Sequence, residues 1–260
     1  MSASAPPSVD LQGRASRDTL GWLDKLRRDA PWWVYPVTVV VALGLFSLYA
    51  AWTSIIAHPS SYGPYLSPFY SPQIWVTGPV SPAIWVVWAP LIFRASCYYY
   101  RKSYHRAFFW DPPACARPEV RKGKYSGETR FPFVLSNLHR FTMYITTVVL
   151  AFLWYDVARA LIYNGHWYLG LGTGIMLVNV ILLTGYTSGC HSLRHLVGGG
   201  LDCYSCSAYR RARKKTWNVM TWFNLRHSVW AWASMISVVA VDVYIRLLMS
   251  GLPDPHILLG

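Results

Sequence analysis

Charged side chains are scarce in this sequence, and acidic ones are the scarcest. Only 13% of the 260 residues are charged, with 11 Asp and Glu against 24 Lys and Arg. Soluble domains carry about twice that charged fraction, so the composition argues against a globule surrounded by water. No charged residue occurs between Asp29 and Arg94. So long an uncharged stretch in so basic a chain indicates a membrane protein.

Long apolar runs supply enough residues for five membrane-spanning helices, because a bilayer core takes about 20 mostly apolar residues per helix. The sequence therefore predicts an all-α integral membrane protein with a five-helix bundle over residues 32–250. The predicted helices cover approximately 32–57, 82–98, 133–162, 167–189 and 224–249. Residues 1–31 are predicted to form an arm with a short amphipathic surface helix, and residues 251–260 a tail.

The distribution of Lys and Arg predicts the orientation of these helices. Cytoplasmic loops of membrane proteins collect basic residues. Of the 24 Lys and Arg residues, all but Arg159 and Arg246 fall in or beside the N-terminal arm and the loops on the same side. We therefore expect a cytoplasmic N-terminus and, after five crossings, a C-terminus outside. The protein should lie in the plasma membrane as a multi-pass chain.

The two remaining arginines have acidic neighbours at helical spacing. Asp156 precedes Arg159 by three residues, and Asp242 precedes Arg246 by four. Residues at these spacings share one helix face and form ion pairs. We interpret both pairs as local charge neutralisation, with a proton path through either aspartate as the alternative.

Cysteine and histidine cluster after the fourth predicted helix, in the segment GCHSLRHLVGGGLDCYSC. This segment contains two histidines one helical turn apart and a C-x-x-C pair, a spacing that lets two thiolates reach one metal. His139 and His227 should lie at the same depth, at the cytoplasmic ends of the third and fifth helices. The candidate metal ligands are Cys190, His191, His195, Cys203 and Cys206, with His139 and His227 as competing imidazoles.

Three cofactor chemistries are compatible with these residues. A reducing cytoplasm disfavours a disulfide, and tetrahedral zinc is the commonest partner of such ligands. Two thiolates and two imidazoles also suit a Rieske-type [2Fe–2S] cluster, although the spacing of soluble Rieske proteins is absent. A single haem b between His139 and either His195 or His227 is a third possibility.

A second constellation follows the second helix, in the segment RASCYYYRKSYHRAFF. Arg94 falls well inside the apolar zone, and intramembrane charges are by default candidates for a functional site. Arg94, Tyr98, Arg101 and His105 offer hydrogen-bond donors and a proton source to a quinone headgroup. The alternative is an interfacial aromatic belt with snorkelling arginines. The basic surface around them suits anionic lipid or an acidic protein, and no nucleic-acid-binding signature is present.

These features together resemble the membrane-anchor subunit of actinobacterial succinate dehydrogenase, respiratory complex II. The resemblance covers roughly residues 20–250 and is most specific in the segment RASCYYYRKSYHRAFF. It implies docking beneath a flavoprotein and an iron–sulfur subunit and electron transfer to a quinone (menaquinone or ubiquinone), without activity toward succinate by this chain alone. Since zinc carries no electrons, the resemblance favours the Rieske-like [2Fe–2S] cluster, with haem b second.

Two other functions remain open from the residues. A transporter or channel with a zinc-stabilised loop would need a polar site at mid-membrane, for which Asn179 and Thr184 are the candidates. A purely structural anchor would bind no cofactor, and the partner subunit would reduce the quinone directly.

Overall fold

The computed structural model describes residues 31, 33–57, 59–73, 81–97, 99–100, 131, 133–200 and 202–259. The predicted surface helix of the N-terminal arm lies outside these residues, as do Tyr98, Arg101 and His105. Over the described residues the helices are α1 Val34–Ile55, α2 Ile84–Ser96, α3 His139–Ala160, α4 Leu171–Ser188, α5 His191–Gly198, α6 Ala208–Leu225 and α7 His227–Met249. A 3-10 helix, Phe133–Leu138, leads directly into α3.

Four helices in the described part of the chain are long and apolar enough to cross a membrane. They are α1, α4, α7 and the continuous helix Val134–Ala160 that contains α3. Helix α2 has 13 residues, fewer than the roughly 20 that a bilayer core requires. The prediction of a helical membrane bundle is therefore confirmed, while five spanning helices and the sidedness of the termini stay predictions.

The centre of the bundle is an apolar contact between α3, α4 and α7. Val157, Val180 and Val241 come from these three helices and are almost fully buried in one cluster. Large apolar side chains also cover the outside, such as Leu48 at 71% and Ile236 at 64% exposure. Apolar residues on both the inner and outer faces are what a lipid-embedded bundle requires, since lipid tails replace water.

The two ends of the bundle differ in structure and charge. The basic end is where α1, α3 and α7 begin, and it also carries α5 and the arginine-rich α6. The sheet end lies opposite and carries two small antiparallel sheets. The first pairs β1 (Ser61–Tyr62) with β2 (Tyr65–Leu66), and the second contains β3 (Ile162–Tyr163), β4 (His166–Gly170) and β5 (His256–Leu259).

These strands correct the predicted boundaries of the third and fourth helices. Asn164 and Gly165 both have positive φ, at 52° and 81°, as the tight turn of a two-residue β-hairpin requires. The chain therefore reverses as a hairpin between β3 and β4. Because β4 pairs with β5 through Gly170 and His256, the helix that we expected from residue 167 begins only at Leu171.

One buried carboxylate joins three parts of the sheet end. Asp242 is fully buried and accepts hydrogen bonds from Tyr49 Oη and Ser60 Oγ at 2.6 Å each. It also accepts one from Ser67 and forms an ion pair with Arg246 Nε at 2.7 Å. The predicted pairing of Asp242 with Arg246 is thus confirmed. Through the extra donors, this aspartate joins α1 and the β1–β2 region to α7 by hydrogen bonds.

A second carboxylate at the sheet end binds three tyrosines. Asp254 accepts hydrogen bonds from the hydroxyls of Tyr65 at 2.6 Å, Tyr168 at 2.9 Å and Tyr244 at 2.6 Å. Burial alone would raise the pKa of Asp254, but these three donors hold it below its ordinary value. The chain after α7 is thereby fixed to β2, β4 and α7 itself.

We expect Asp254→Asn to destabilise the protein in a pH-dependent way. A lowered pKa means that ionised Asp254 stabilises the fold above the unfolded-state pKa of about 3.9, and that this stabilisation is lost as pH falls through the folded-state value. Because solvent reaches the site, the loss at pH 7 should be about 1 kcal/mol.

Thermal unfolding in detergent as a function of pH measures this effect, with the exposed Asp202→Asn as the matched control. The difference between the wild type and Asp254→Asn should narrow below about pH 4. A difference that stays constant down to pH 3 would contradict the account.

Candidate functional site

Two cysteines and two histidines meet inside the basic end of the bundle. His139 Nε2 lies 3.1 Å from Cys190 Sγ, and His227 Nε2 lies 3.4 Å from Cys97 Sγ. Both cysteines are buried and free of disulfide bonds, and they share one cluster of buried residues. We call Cys97, His139, Cys190 and His227 the buried donor set.

The helix boundaries explain why these residues meet. Cys97 directly follows α2 and Cys190 directly precedes α5, two residues beyond the end of α4. His139 and His227 are the first residues of α3 and α7. Four separate helix ends therefore place one soft metal ligand each at the same level.

The imidazole of His139 is oriented by a second set of contacts. Its Nδ1 lies 3.0 Å from the carbonyl oxygen of Phe93 and 3.1 Å from Ser96 Oγ. An Nδ1–H that donates to the Phe93 carbonyl leaves Nε2 as the unprotonated nitrogen, the arrangement typical of metal-binding histidines. The Phe93 ring stacks on the imidazole at 4.5 Å between centroids, which fixes its plane.

The imidazole of His227 is held by packing. It stacks on the Tyr186 ring at 4.9 Å and 17°. Its Nδ1 is buried and has no hydrogen-bond partner within the described part of the chain. A Cβ atom on Gly189 would lie 2.9 Å from that nitrogen, so the absence of a side chain at Gly189 makes room for the ring.

The other predicted ligands lie apart from the buried donor set. His191 and His195 contact each other, with 3.1 Å between their Nε2 atoms at the surface of α5. Partial burial lowers the pKa of His191, and the neighbouring His195 and Arg194 lower it further. Cys203 and Cys206 are bonded to each other, in contrast to the reduced pair that we expected. Their C-x-x-C spacing places the Cα atoms 5.8 Å apart, within the reach of a disulfide.

The structure therefore brings together three of the seven candidates, namely His139, Cys190 and His227. The fourth member, Cys97, was not among the ligands predicted from the sequence. Its position three residues after Arg94 placed it at the right depth, and this was the signal that could have identified it.

The chemistry of the buried donor set can be compared with two kinds of metal site. Among the described residues, no three His, Cys, Asp or Glu side chains converge as a single ion requires. The four donors form two adjacent pairs instead. Two thiolates and two imidazoles are the ligand composition of a Rieske-type two-iron cluster. By donor type the residues fit such a cluster and also a zinc site with two cysteines and two histidines, but their separation into two pairs favours two metal ions over one.

A cavity of about 750 Å³ lies between α1, α2 and α7, within the size range of small-molecule sites. Its wall is mainly apolar, with Arg94 and Tyr100 as the main polar groups. The lining residues are Leu43, Gly44, Phe46, Ser47, Leu48, Leu91, Arg94, Ala95, Tyr100 and Met235.

Arg94 is fixed at the wall of this cavity by neutral groups. Its Nη1 donates to Tyr100 Oη at 2.8 Å and to the carbonyl oxygen of Ala231 at 3.2 Å. Its Nη2 donates to Ser234 Oγ at 2.9 Å. Of the residues predicted to face a quinone, Arg94 lines the cavity, and Tyr98, Arg101 and His105 lie outside the described residues. Tyr100, from the same run of three tyrosines, was missed.

The polar residues proposed for a transporter are satisfied within the bundle. Asn179 Oδ1 accepts a hydrogen bond from Ser237 at 2.8 Å. Thr184 Oγ1 accepts one from Trp154 Nε1 at 3.0 Å and donates to the carbonyl oxygen of Val180. Their contacts are those of residues that join helices.

We expect Gly189→Ala to displace His227 and to destabilise the basic end. The added methyl group would overlap His227 Nδ1 and also lie 3.1 Å from the Phe223 carbonyl oxygen. Overpacking of this kind costs about 1–3 kcal/mol.

The matched control is Gly174→Ala in α4, where an added Cβ meets no atom within 4 Å. That change should be neutral or stabilising by up to about 1 kcal/mol. Thermal unfolding compares the stability of the two variants, and equal stability would contradict the tight packing at His227.

Comparisons with known proteins agree with this architecture. Residues 34–251 match the family model described as actinobacterial succinate dehydrogenase subunit SdhC. A chain of the Mycobacterium smegmatis Sdh1 complex in the apo form is similar in structure, with a TM-score of 0.80 and 33% sequence identity. The alignment covers 90% of this chain and 94% of the other. The search of curated proteins returned no match.

Proposed function

Since the chain belongs to the family of actinobacterial succinate dehydrogenase subunit SdhC, a multi-pass membrane subunit of that enzyme, we propose that it conducts electrons to a membrane quinone. The soluble flavoprotein and iron–sulfur subunits would dock at the basic end, which we place on the cytoplasmic side. The concentration of arginine and lysine on α6 supports this orientation. An acidic partner surface or anionic lipid would complement the same charges.

The observation that carries the proposal is the position of the buried donor set beside the cavity. Arg94 links the two through Tyr186, because its guanidinium lies on the cavity wall and 4.6 Å from the centre of the Tyr186 ring, which stacks on His227. Electrons that enter at the basic end would thus meet a redox centre before they reach the cavity.

The residues of the donor set would hold a [2Fe–2S] cluster, with Cys97 and Cys190 as thiolates and His139 and His227 as imidazoles. When bound, such a cluster supplies one-electron transfer at a potential raised by its neutral imidazole ligands. Phe93 and Ser96 keep the His139 ring in place through Nδ1. The apolar residues around both cysteines exclude water from the site.

The cavity would hold the quinone headgroup and the first part of its tail. Leu43, Phe46 and Met235 offer an apolar wall, and Arg94 and Tyr100 offer hydrogen-bond donors for a quinone oxygen. The charge of Arg94 would stabilise negative charge on that oxygen as electrons arrive. Leu48 and Leu91 line the cavity and are also exposed on the outer surface, which gives a hydrophobic molecule access from the bilayer.

Substitution of both histidines of the donor set tests the redox role. We expect His139→Ala with His227→Ala to reduce quinone reduction to background, because the cofactor loses half of its protein ligands. Dye-linked succinate oxidation by the soluble subunits should be retained. Iron and acid-labile sulfide per complex should fall in parallel.

The matched control is the exposed pair, His191→Ala with His195→Ala, which should retain both activities and the iron. If substitution of His191 and His195 abolished quinone reduction and substitution of His139 and His227 did not, the assignment of ligands would be wrong. A Soret band in the wild-type optical spectrum would favour haem b in place of the cluster.

The quinone site is tested by Arg94→Gln. Loss of one charged hydrogen bond costs about 1.5–3 kcal/mol, which corresponds to a fall of roughly 10- to 150-fold in kcat/KM for quinone. The iron content should not change, because Arg94 is not a ligand. Arg159→Gln, which replaces an exposed arginine near the sheet end, is the control. A loss of iron with unchanged quinone kinetics would contradict this role for Arg94.

A further inference from the structure

Tyr186 contacts both His227 of the buried donor set and Arg94 on the cavity wall. It comes from the last turn of α4 and is 2% exposed. One face of its ring stacks on His227, and the guanidinium carbon of Arg94 lies 4.6 Å from the ring centroid. Phe93 and Tyr100 contact the ring edge-on, at 5.6 Å and 6.1 Å between centroids.

The hydroxyl of Tyr186 is buried beside the donor set. It has no hydrogen-bond partner within the part of the chain that the structure describes, and Tyr186 belongs to the same cluster of buried residues as Cys97. An unsatisfied buried hydroxyl destabilises a fold, and phenylalanine would give the same ring packing without that loss. A buried hydroxyl without a described partner, in the same cluster as the Cys97 sulfur, therefore indicates a hydrogen bond that forms when the donor set is loaded.

We propose, on the basis of the function proposed above, that Tyr186 is a positioning residue that tunes the redox centre. Its O–H would donate a hydrogen bond to sulfur at the Cys97 side of the centre. When the centre accepts one electron, negative charge on sulfur increases and this hydrogen bond becomes stronger. The donor thus stabilises the reduced form and raises the reduction potential. Tyr186 keeps its proton and its electrons throughout, so no bond forms or breaks.

The neighbours of Tyr186 support a tuning role at this position. The positive charge of Arg94 over the ring makes the hydroxyl a better donor. Because Arg94 also lines the cavity, one tyrosine connects the environment of the redox centre with that of the quinone.

The test is a redox titration of the purified complex, followed by electron paramagnetic resonance. Tyr186→Phe should shift the midpoint potential of the centre downward while iron content and dye-linked succinate oxidation stay at wild-type values. The matched control is Tyr155→Phe, which removes a hydroxyl from a tyrosine that is 59% exposed on α3. It should leave the potential unchanged.

Replacement of Tyr186 with 3,5-difluorotyrosine guards against a folding defect in Tyr186→Phe. This side chain has nearly the same shape and a stronger O–H donor, so it should shift the potential upward. Equal potentials in the wild type, Tyr186→Phe and the difluorotyrosine protein would overturn the role of Tyr186 alone. A wild-type complex that contains no iron in this subunit would overturn the proposed function and this inference together.

Discussion

Burial of four soft polar side chains at one level of a membrane bundle is the constraint on which the rest of this structure depends. The contacts of His139 with Cys190 and of Cys97 with His227 occur where the surroundings are apolar and offer few other partners. Polar groups in such surroundings are costly unless each is paired. Four points of the bundle must therefore keep their relative positions, namely the end of α2, the starts of α3 and α7, and the junction between α4 and α5. A shift of one helical turn at any of these points would separate the buried donor set.

The two ends of the bundle bury polar groups with different chemistry. At the sheet end, carboxylates collect hydroxyl donors, as when Asp242 joins Tyr49 to Ser60. At the basic end the groups are thiols and imidazoles, and His227 Nδ1 has no partner among the described residues. A fully satisfied network suits a structural tie. The incompletely satisfied one, next to a cavity with a fixed arginine, suits a site that binds something else.

The sequence predicted a helical membrane bundle and the level of three donors, but not the full set of side chains that converge. Apolar runs define helices because bilayer thickness fixes their length, and the helix ends in turn placed His139, Cys190 and His227 at one level. The ligand prediction differs from the structure where we took residues that are close in sequence to be close in space. His191 and His195 lie one and five residues after Cys190, yet both are at the surface of α5. Cys97 is distant in sequence from the other three, and only packing brings it to them. The sequence placed a break between residues 162 and 167, but the strands on either side of Asn164 and Gly165 were missed because apolar residues beside the turn were assigned to the adjacent helices.

The account stands or falls on whether the buried donor set ligates iron. Pulsed electron paramagnetic resonance of the reduced complex measures this directly through the hyperfine coupling of nitrogen nuclei to the electron spin. The account predicts a signal of low average g that is coupled to two imidazole nitrogens. The signal and its nitrogen coupling should disappear in the variant with His139→Ala and His227→Ala, and should remain in the variant with His191→Ala and His195→Ala. A signal without nitrogen coupling, or one whose coupling survives loss of His139 and His227, would contradict it.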